Sequence, residues 1–406
     1  MANILQGIRI LDLTRIIAGP LCTQTLADMG ATVYKIEKPG EGDDTRRMGA
    51  CLVDPLTGKS TSDSALFLAY NRGKHSITID IASHDGAALV RQMAMECDVV
   101  VENYKVGTLQ RYGLDYESLK AIKPDLIYCS VTGFGQTGPM AKLPAYDFIL
   151  QGMAGMMSTC GLPDGEPGGG PMRTAIPIAD VTTGQNAAIA ILGALFHHQR
   201  SGEGQFIDAA MLDSAVALNG HLAVGYLMTG HSPTRVGNTN PIASPTEVLE
   251  CADGRIVISV GNDRQFQSCC EALGVPELSS DEAFATNVRR VAHRDALKQL
   301  LGERVAPLHR AAVLAQLSAA GVPCGPINDM EQTFAEPQAR HRQLSIHLPH
   351  SSGASAPLVR SPLQFSRTPV EHRAPPQLGE HTERVLSELL GLEADRIAAL
   401  KAQGVI

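Results

Sequence analysis

The feature that most narrows the possible folds is an alternation of strand and helix signals through the first third of the chain. IRILDL (Ile8–Leu13) is a short apolar run, PLCTQTLADMG reads as a helix stopped by Gly30, and ATVYKIE (Ala31–Glu37) is the next apolar run. HDGAALVRQMAMEC then reads as helix, DVVVEN (Asp98–Asn103) as strand, YESLKAIKP as a short helix and DLIYCSVTGFG as strand. This rhythm predicts an α/β fold with a parallel sheet and helices on its faces. Ligands of such sheets lie beyond the carboxyl ends of the strands, so the loops after these strands are where a site is sought.

The rest of the chain changes character. A helix is expected from Asp180 to about Arg200, and FIDAAMLDSAVALNGHLAVGYLMTG reads as a short strand and then a helix. His231–Glu247 is rich in Gly, Pro, Ser and Asn and reads as loop. VLECADGRIVISVG reads as a hairpin turning at Asp253-Gly254, followed by helices in DRQFQSCCEALG and RDALKQLLGERVAPLHRAAVLAQLSAAG. With 406 residues, two domains are expected. The boundaries predicted are a large domain over 1–224, a small domain over 225–325, and a return to the large domain over 326–406, which ends in a helix at TERVLSELLGL.

Charge and cysteines limit the function classes. A net charge of -8 argues against a whole-surface attraction to nucleic acid. The nine cysteines are odd in number, form no C-x-x-C pair and stand apart from histidines, so neither a disulfide framework nor a metal site is expected. No leader segment is read at the N-terminus, and no apolar run is judged to reach the roughly 18 residues of a membrane span. The expectation is a cytoplasmic α/β enzyme. TRIIAGP after the first strand has one glycine, which disfavours NAD, although Glu37 at the end of the second strand resembles a ribose ligand. TGKS (Thr57–Ser60) lacks the first glycine of a phosphate loop, and Gly168–Gly170 reads as a flexible loop. Lys35, Lys38, Arg46, Arg47, Arg72, Lys74, Lys105 and Arg111 cluster near predicted strand ends. Singly they are surface charges; together they suit a ligand with several phosphates.

PIADVTTGQNAAIAILGALF (Pro177–Phe196) places one carboxylate, Asp180, at the mouth of a long apolar segment. Spacing alone makes it a helix N-cap. His197-His198 near the end of that segment reads as a partner for the helix dipole. On these residues the reading stops at an α/β enzyme with an anionic ligand.

A set of stretches across nearly the whole chain then adds to this: GIRILDLTRIIAGP, GATVYKIEKPGEGDDTR, NRGKHSITID, VVVENYKVGTLQRYGL, YCSVTGFGQTGP, YDFILQGMAG, IADVTTG, GVPCGPINDM and LGEHT. In number and order they resemble the class III CoA-transferases, the family that includes formyl-CoA transferase and α-methylacyl-CoA racemase. The resemblance implies an interlocked homodimer of open, ring-like subunits. It also implies a Rossmann-like large domain built from both chain ends and a smaller α/β domain. It makes Asp180 the nucleophile, with the N-terminal helix dipole keeping its carboxylate ionised. Coenzyme A is implied as a substrate rather than a permanent cofactor.

Carried over position by position, the CoA-binding residues implied are Lys38, Ile79, Asn103, Tyr104, Lys105 and Arg111, with Ala82 standing where the family often has a lysine or arginine. Tyr146, Asp147, Gly237 and Asn238 are the implied substrate-binding residues. Tyr146 occupies the position of the racemases' histidine, which points to the transferases. Ile17 and VGNTNPIASP replace the glutamine and glycine-rich lid of formyl-CoA transferase. ILDLTR, GDDTR, GQTGP and FAEPQ resemble the branch that acts on small dicarboxylates, so the expected reaction moves CoA from succinyl-CoA to a glutarate-like acid. The alternatives are an acyl-CoA racemase or epimerase, and a catalytically silent CoA-binding protein. Arg46, in the loop after the second strand, is the candidate clamp for the acceptor's second carboxylate; the plainer reading pairs it with Asp43 or Asp44.

Overall fold

The computed structural model describes residues 3–406. The chain divides into two compact units, one drawn from Met1–Met156, Thr174–Gly230 and His341–Ile406, the other from Met157–Arg173 and His231–Arg340.

The first unit is organised by a six-stranded sheet in the order His75–Thr78, Thr32–Glu37, Arg9–Asp12, Val99–Glu102, Ile127–Thr132, Phe206–Ala210. Every pairing is parallel. In chain order this is 3-2-1-4-5-6, the doubly wound arrangement, and it places the switch point between Arg9–Asp12 and Val99–Glu102. The strands are short, and Val99–Glu102 and Ile127–Thr132 are buried throughout, as strands covered on both faces must be. One face packs on Leu89, Val90 and Met93 together with Val385, Leu386, Ile397 and Leu400 from the chain's end. The other packs on Cys22 and Leu26 of the helix Ala18–Asp28 and on Ala187, Ala188 and Ile191 of the helix Ile178–Ser201.

Those two helices meet through small residues. A Cβ added at Gly184 would sit 2.5 Å from the carbonyl oxygen of Ala18 and 3.1 Å from Leu21 Cβ. Ile178–Ser201 is also long and apolar enough to cross a membrane, contrary to the expectation that no segment would be. Gln185 and Asn186 interrupt the apolar run, yet its average still reaches that of a membrane span, and the length matches a core helix that packs one side on the sheet.

The second unit has a three-stranded antiparallel sheet in the order Cys324–Pro326, Gly254–Ser259, Thr246–Cys251. Its core joins Ile256 and Ile258 to Phe266, Leu297, Leu301, Val313 and Leu317. The hairpin pairs Gly254 with Cys251, so its turn residues are Ala252 and Asp253, one position earlier than expected.

The domain bounds differ from the expected ones for local reasons. The helix His221–Thr229 runs through 224 and stops at Gly230, which takes φ 71°. Met157–Arg173, expected in the large domain, is tied into the second unit. There the Gly237 amide donates to the Gly161 carbonyl, and Arg235 reaches Asp164 and the Leu162 carbonyl. The return to the first unit comes at His341 rather than 326, because Cys324–Pro326 is a strand of the small sheet and Asn328 donates to Glu336.

Candidate active site

Asp180 is the third residue of the helix Ile178–Ser201, not its cap. The cap position is Pro177, whose side chain offers no hydrogen bond. The leading amides are capped instead by a carboxylate from another helix. Asp147 Oδ2 accepts the N–H of Ala179 at 2.7 Å and that of Asp180 at 3.2 Å. Asp147 opens the helix Asp147–Met153 and is 8% exposed. Gln151 fixes it from one turn later, donating to Asp147 Oδ1 at 2.6 Å while accepting the Thr174 amide at 3.0 Å.

The helix Ala18–Asp28 has Ile17 at its cap position with no side-chain hydrogen bond, and Ala18, its first residue, lines the same cleft as Asp180. Burial and the negative charge of Asp147 push the Asp180 carboxyl up to about 7, with the Ala18 amide pulling the other way. The sequence-based expectation that helix dipoles hold it fully ionised is therefore corrected: burial outweighs them. A carboxylate of raised pKa is a stronger nucleophile once ionised, and half the sites are ionised near pH 7.

Asp180 lies in a cleft of about 420 Å³, with Arg15, Ile16, Asn103, Tyr104, Lys105 and Tyr146 among its walls. A second cleft of about 260 Å³ is lined by Lys38, Ile79, Ala82, Tyr104 and Tyr112. Arg15, Tyr104 and Thr108 line both, so the clefts adjoin across these side chains. Both open at the carboxyl ends of the strands, beside the switch point.

The expected residues divide as follows. Ile79, Tyr104 and the exposed Lys38 line the second cleft, where Lys38 pairs with Glu41. Tyr146, 67% exposed, and Lys105 line the Asp180 cleft. Asn103 lines it too, but its amide is committed to the backbone of Arg15, accepting that residue's N–H at 2.9 Å and donating to its carbonyl at 2.7 Å. Arg111 is exposed on the turn Leu109–Tyr112 and lines neither cleft. Gly237 and Asn238 belong to the second unit, where the Asn238 carbonyl accepts the Val248 amide.

Arg46 is the clearest correction. It is 0% exposed. Its guanidinium grips Glu37 with two hydrogen bonds of 2.7 and 2.8 Å, Asp63 with one of 2.6 Å, and the Pro376 carbonyl at 3.2 Å. Its flat face lies 3.6 Å from the centre of the Phe67 ring. It is neither a substrate clamp nor a partner of Asp43 or Asp44. Glu37, the ribose-ligand lookalike, is likewise spent on Arg46 and Ser76. Of the clustered cations, Lys35, Arg72 and Lys74 are also buried, on Asp43, Asp28 and Asp12. Arg15, whose guanidinium stands 5.5 Å over the Tyr104 ring at the mouth of both clefts, escaped the sequence reading. The ILDLTR motif was its only signal.

The chain matches CoA-transferase family III over residues 5–382. It is 45% identical over 390 residues to a succinate–glutarate CoA-transferase of Agrobacterium fabrum, with 96% of each chain covered. It is 38% identical over 403 residues to succinyl-CoA:glutarate CoA-transferase of Homo sapiens, covering 99% of this chain and 90% of that one. The crystal structure of a CAIB/BAIF family protein from Brucella suis superposes with a TM-score of 0.85 at 44% identity, covering 96% of this chain and 100% of that one. The chain is a member of CoA-transferase family III, an enzyme of the CoA-transferase class.

Proposed function

We propose that this enzyme moves CoA from succinyl-CoA to a small dicarboxylic acid, with glutarate the expected acceptor and Asp180 the covalent carrier. The observation that carries the reading is the placement of Asp180 in the first turn of its helix, in a cleft that it shares with Ala18 and that adjoins a second one. An extended thioester suits this pair. Its nucleotide end fits the walls of Ile79 and Tyr104 with Lys38 near the phosphates, and its thioester reaches Asp180 past Arg15 and Lys105.

The chemistry proceeds by exchange at carbonyl carbons. The Asp180 carboxylate attacks the succinyl thioester, forming a mixed anhydride and releasing CoA thiolate. The thiolate attacks the aspartyl carbonyl, which gives an aspartyl-CoA thioester and frees succinate. The acceptor carboxylate attacks that thioester, forming a new anhydride and releasing thiolate again. The thiolate then takes the acceptor's acyl group, and Asp180 returns as carboxylate. Water would hydrolyse either anhydride, so the site must exclude it while the intermediates stand. Asp147 is committed to capping, which supports transfer over racemisation, because this neighbour of Asp180 is then not free to take an α-proton. A homodimer is part of the reading, supported by the apolar face of His221–Thr229, where Leu227 is 79% and Met228 80% exposed.

The test is succinyl-CoA incubated with glutarate, itaconate, malate, oxalate and acetate in turn, using the wild-type protein and Asp180→Asn. Glutaryl-CoA formation by wild type, with a loss on the order of 10⁴-fold or more in the variant, is expected for removal of a covalent nucleophile. Near-normal turnover by Asp180→Asn overturns the mechanism. Preference for another acid overturns the acceptor, and α-deuteration of a 2-methylacyl-CoA in heavy water would move the assignment to racemisation.

A further inference from the structure

The polar contacts behind Asp180 form a chain that runs away from the clefts. Gln151 stands one turn after Asp147 on the helix Asp147–Met153, so the two side chains share a face. Gln151 is 1% exposed and lines neither cleft. Its amide bridges two partners that demand opposite groups. Nε2 donates to Asp147 Oδ1 at 2.6 Å, and Oε1 accepts the Thr174 N–H at 3.0 Å. Turning the amide over would set oxygen against carboxylate and N–H against N–H, so only this orientation satisfies both. The Thr174 hydroxyl lies 3.4 Å from the same Oε1 and 2.8 Å from the Ile176 carbonyl, which Nε2 also approaches at 3.4 Å. Thr174–Ile176 leads through Pro177 into the helix Ile178–Ser201. One amide therefore holds both the segment that enters this helix and the carboxylate that caps it.

We infer that Gln151 is a positioning residue for the reaction: by tying the Asp147 carboxylate to the Thr174–Ile176 segment, it sets where the first turn of the helix presents Asp180. The inference rests on Asp180 being the nucleophile. Each link is a direct contact. Asp147 is held by Gln151 through one carboxylate oxygen, and its other oxygen receives the Ala179 and Asp180 N–H groups. Without Gln151, Asp147 keeps its charge but is free to turn about its last side-chain bond. A displacement of about 1 Å at a reacting group can cost on the order of 100-fold in rate.

Three variants test this. Gln151→Met keeps the length of the side chain, changes no charge and removes both hydrogen bonds. Asp147→Asn keeps an oxygen for the helix amides but turns an NH2 group toward the NH2 group of Gln151. Whichever way the Gln151 amide then rotates, it loses its contact with position 147 or with Thr174. The double variant Asp147→Asn/Gln151→Glu swaps amide and carboxylate. The new amide caps with its oxygen and donates to the new carboxylate, whose second oxygen accepts the Thr174 N–H. Net charge is unchanged, and only the long contact to the Ile176 carbonyl is forfeited. At a pH well above 7, where ionisation of Asp180 does not limit the rate, kcat is expected to fall roughly 10- to 100-fold in Gln151→Met and in Asp147→Asn. The KM for succinyl-CoA should stay near that of wild type, because Gln151 touches neither cleft. The swapped variant should regain most of the lost kcat. Wild-type kcat in folded Gln151→Met, whatever its Tm, overturns the inference, and so does a swapped variant no faster than Asp147→Asn. Should Gln151→Met not fold, that second comparison decides. Should the wild type transfer no CoA to any acid, the functional reading fails on its own. Amide hydrogen exchange over residues 174–180 then reads the positioning without turnover: it should quicken in Gln151→Met and return toward wild type in the swapped variant, and unchanged exchange in Gln151→Met overturns the claim.

Discussion

Two clusters of acidic side chains lie in the same unit and are treated in opposite ways. Beneath the strand ends, four buried carboxylates have a cation within hydrogen-bond reach: Asp12 has Lys74, Asp43 has Lys35, and Glu37 and Asp63 share Arg46. At the cleft, Asp147 and Asp180 sit together, and the described hydrogen bonds to Asp147 come from neutral amides. The consequences diverge. Lys35 and the Thr45 donors outweigh burial and hold Asp43 at about 2, whereas burial and Asp147 push Asp180 to about 7. Where pairing outweighs burial, as at Asp43, the charge is fixed in place; at Asp180 no such partner offsets burial, and its ionisation and reactivity remain available for chemistry.

The comparison breaks most visibly at Arg46. Arg46→Gln leaves Glu37 and Asp63 buried against a neutral amide, and a loss of roughly 3–5 kcal/mol is expected. Urea denaturation measures it. At a temperature where the variant is folded, its selectivity for glutarate over a monocarboxylate of equal length should match wild type. A selective loss of glutarate use would restore Arg46 as a clamp and undo the contrast.

Asp147→Asn sharpens the contrast from the other side. The amide oxygen still caps Ala179 and Asp180, but the neighbouring charge is gone. The acid limb of kcat/KM should fall from near pH 7 by about one unit, as for removal of an adjacent like charge. A limb that does not move would mean that burial alone sets the Asp180 pKa.

A third effect is in the pH dependence of stability, where the two clusters should have opposite signs. Asp180 binds its proton more tightly in the folded state. It therefore opposes folding progressively as pH rises from about 4 to 7, and the penalty is complete above that. Asp180→Asn should raise Tm by a few degrees at pH 8, and the gain should fade as pH falls through 7 toward 4. Asp43, held at about 2, contributes stability that is fully present above about 4 and is lost as pH falls toward 2. Thermal scans of wild type and variant across this range test both signs. A constant Tm difference would show that Asp180 is ionised alike in both states.

Where sequence and structure part, the reason is distance along the chain. The strand rhythm was legible because each element carries its own apolar run, but His75–Thr78 is four residues of mixed polarity and shows as a strand only beside Thr32–Glu37. Asp180 was legible as a residue of interest, and a cap was the natural local reading. The true cap stands 33 positions earlier, on another helix, where no spacing rule connects the two. Arg46 looked exposed because its loop is rich in Gly and Asp. Its partners are a strand-end glutamate and Asp63 in the polar stretch STSDS, neither of which advertises burial. Asn103 was placed at the CoA site by resemblance, and only the fold shows that its amide is spent on Arg15.

The close approach at Gly184 carries one more consequence. The atom that a side chain there would strike is the carbonyl of Ala18, and that same residue lines the cleft of Asp180, which stands one helical turn before Gly184. The separation of two helices is thus calibrated by the absence of a single carbon, and the reach of a reacting group is read from it. To a protein engineer the helix pair would look like a packing opportunity: a glycine and several alanines waiting to be enlarged or stiffened. Every such gain in rigidity at position 184 would come out of catalytic alignment, so this seam is closed to the ordinary routes of thermostabilisation and must be left as narrow as it is.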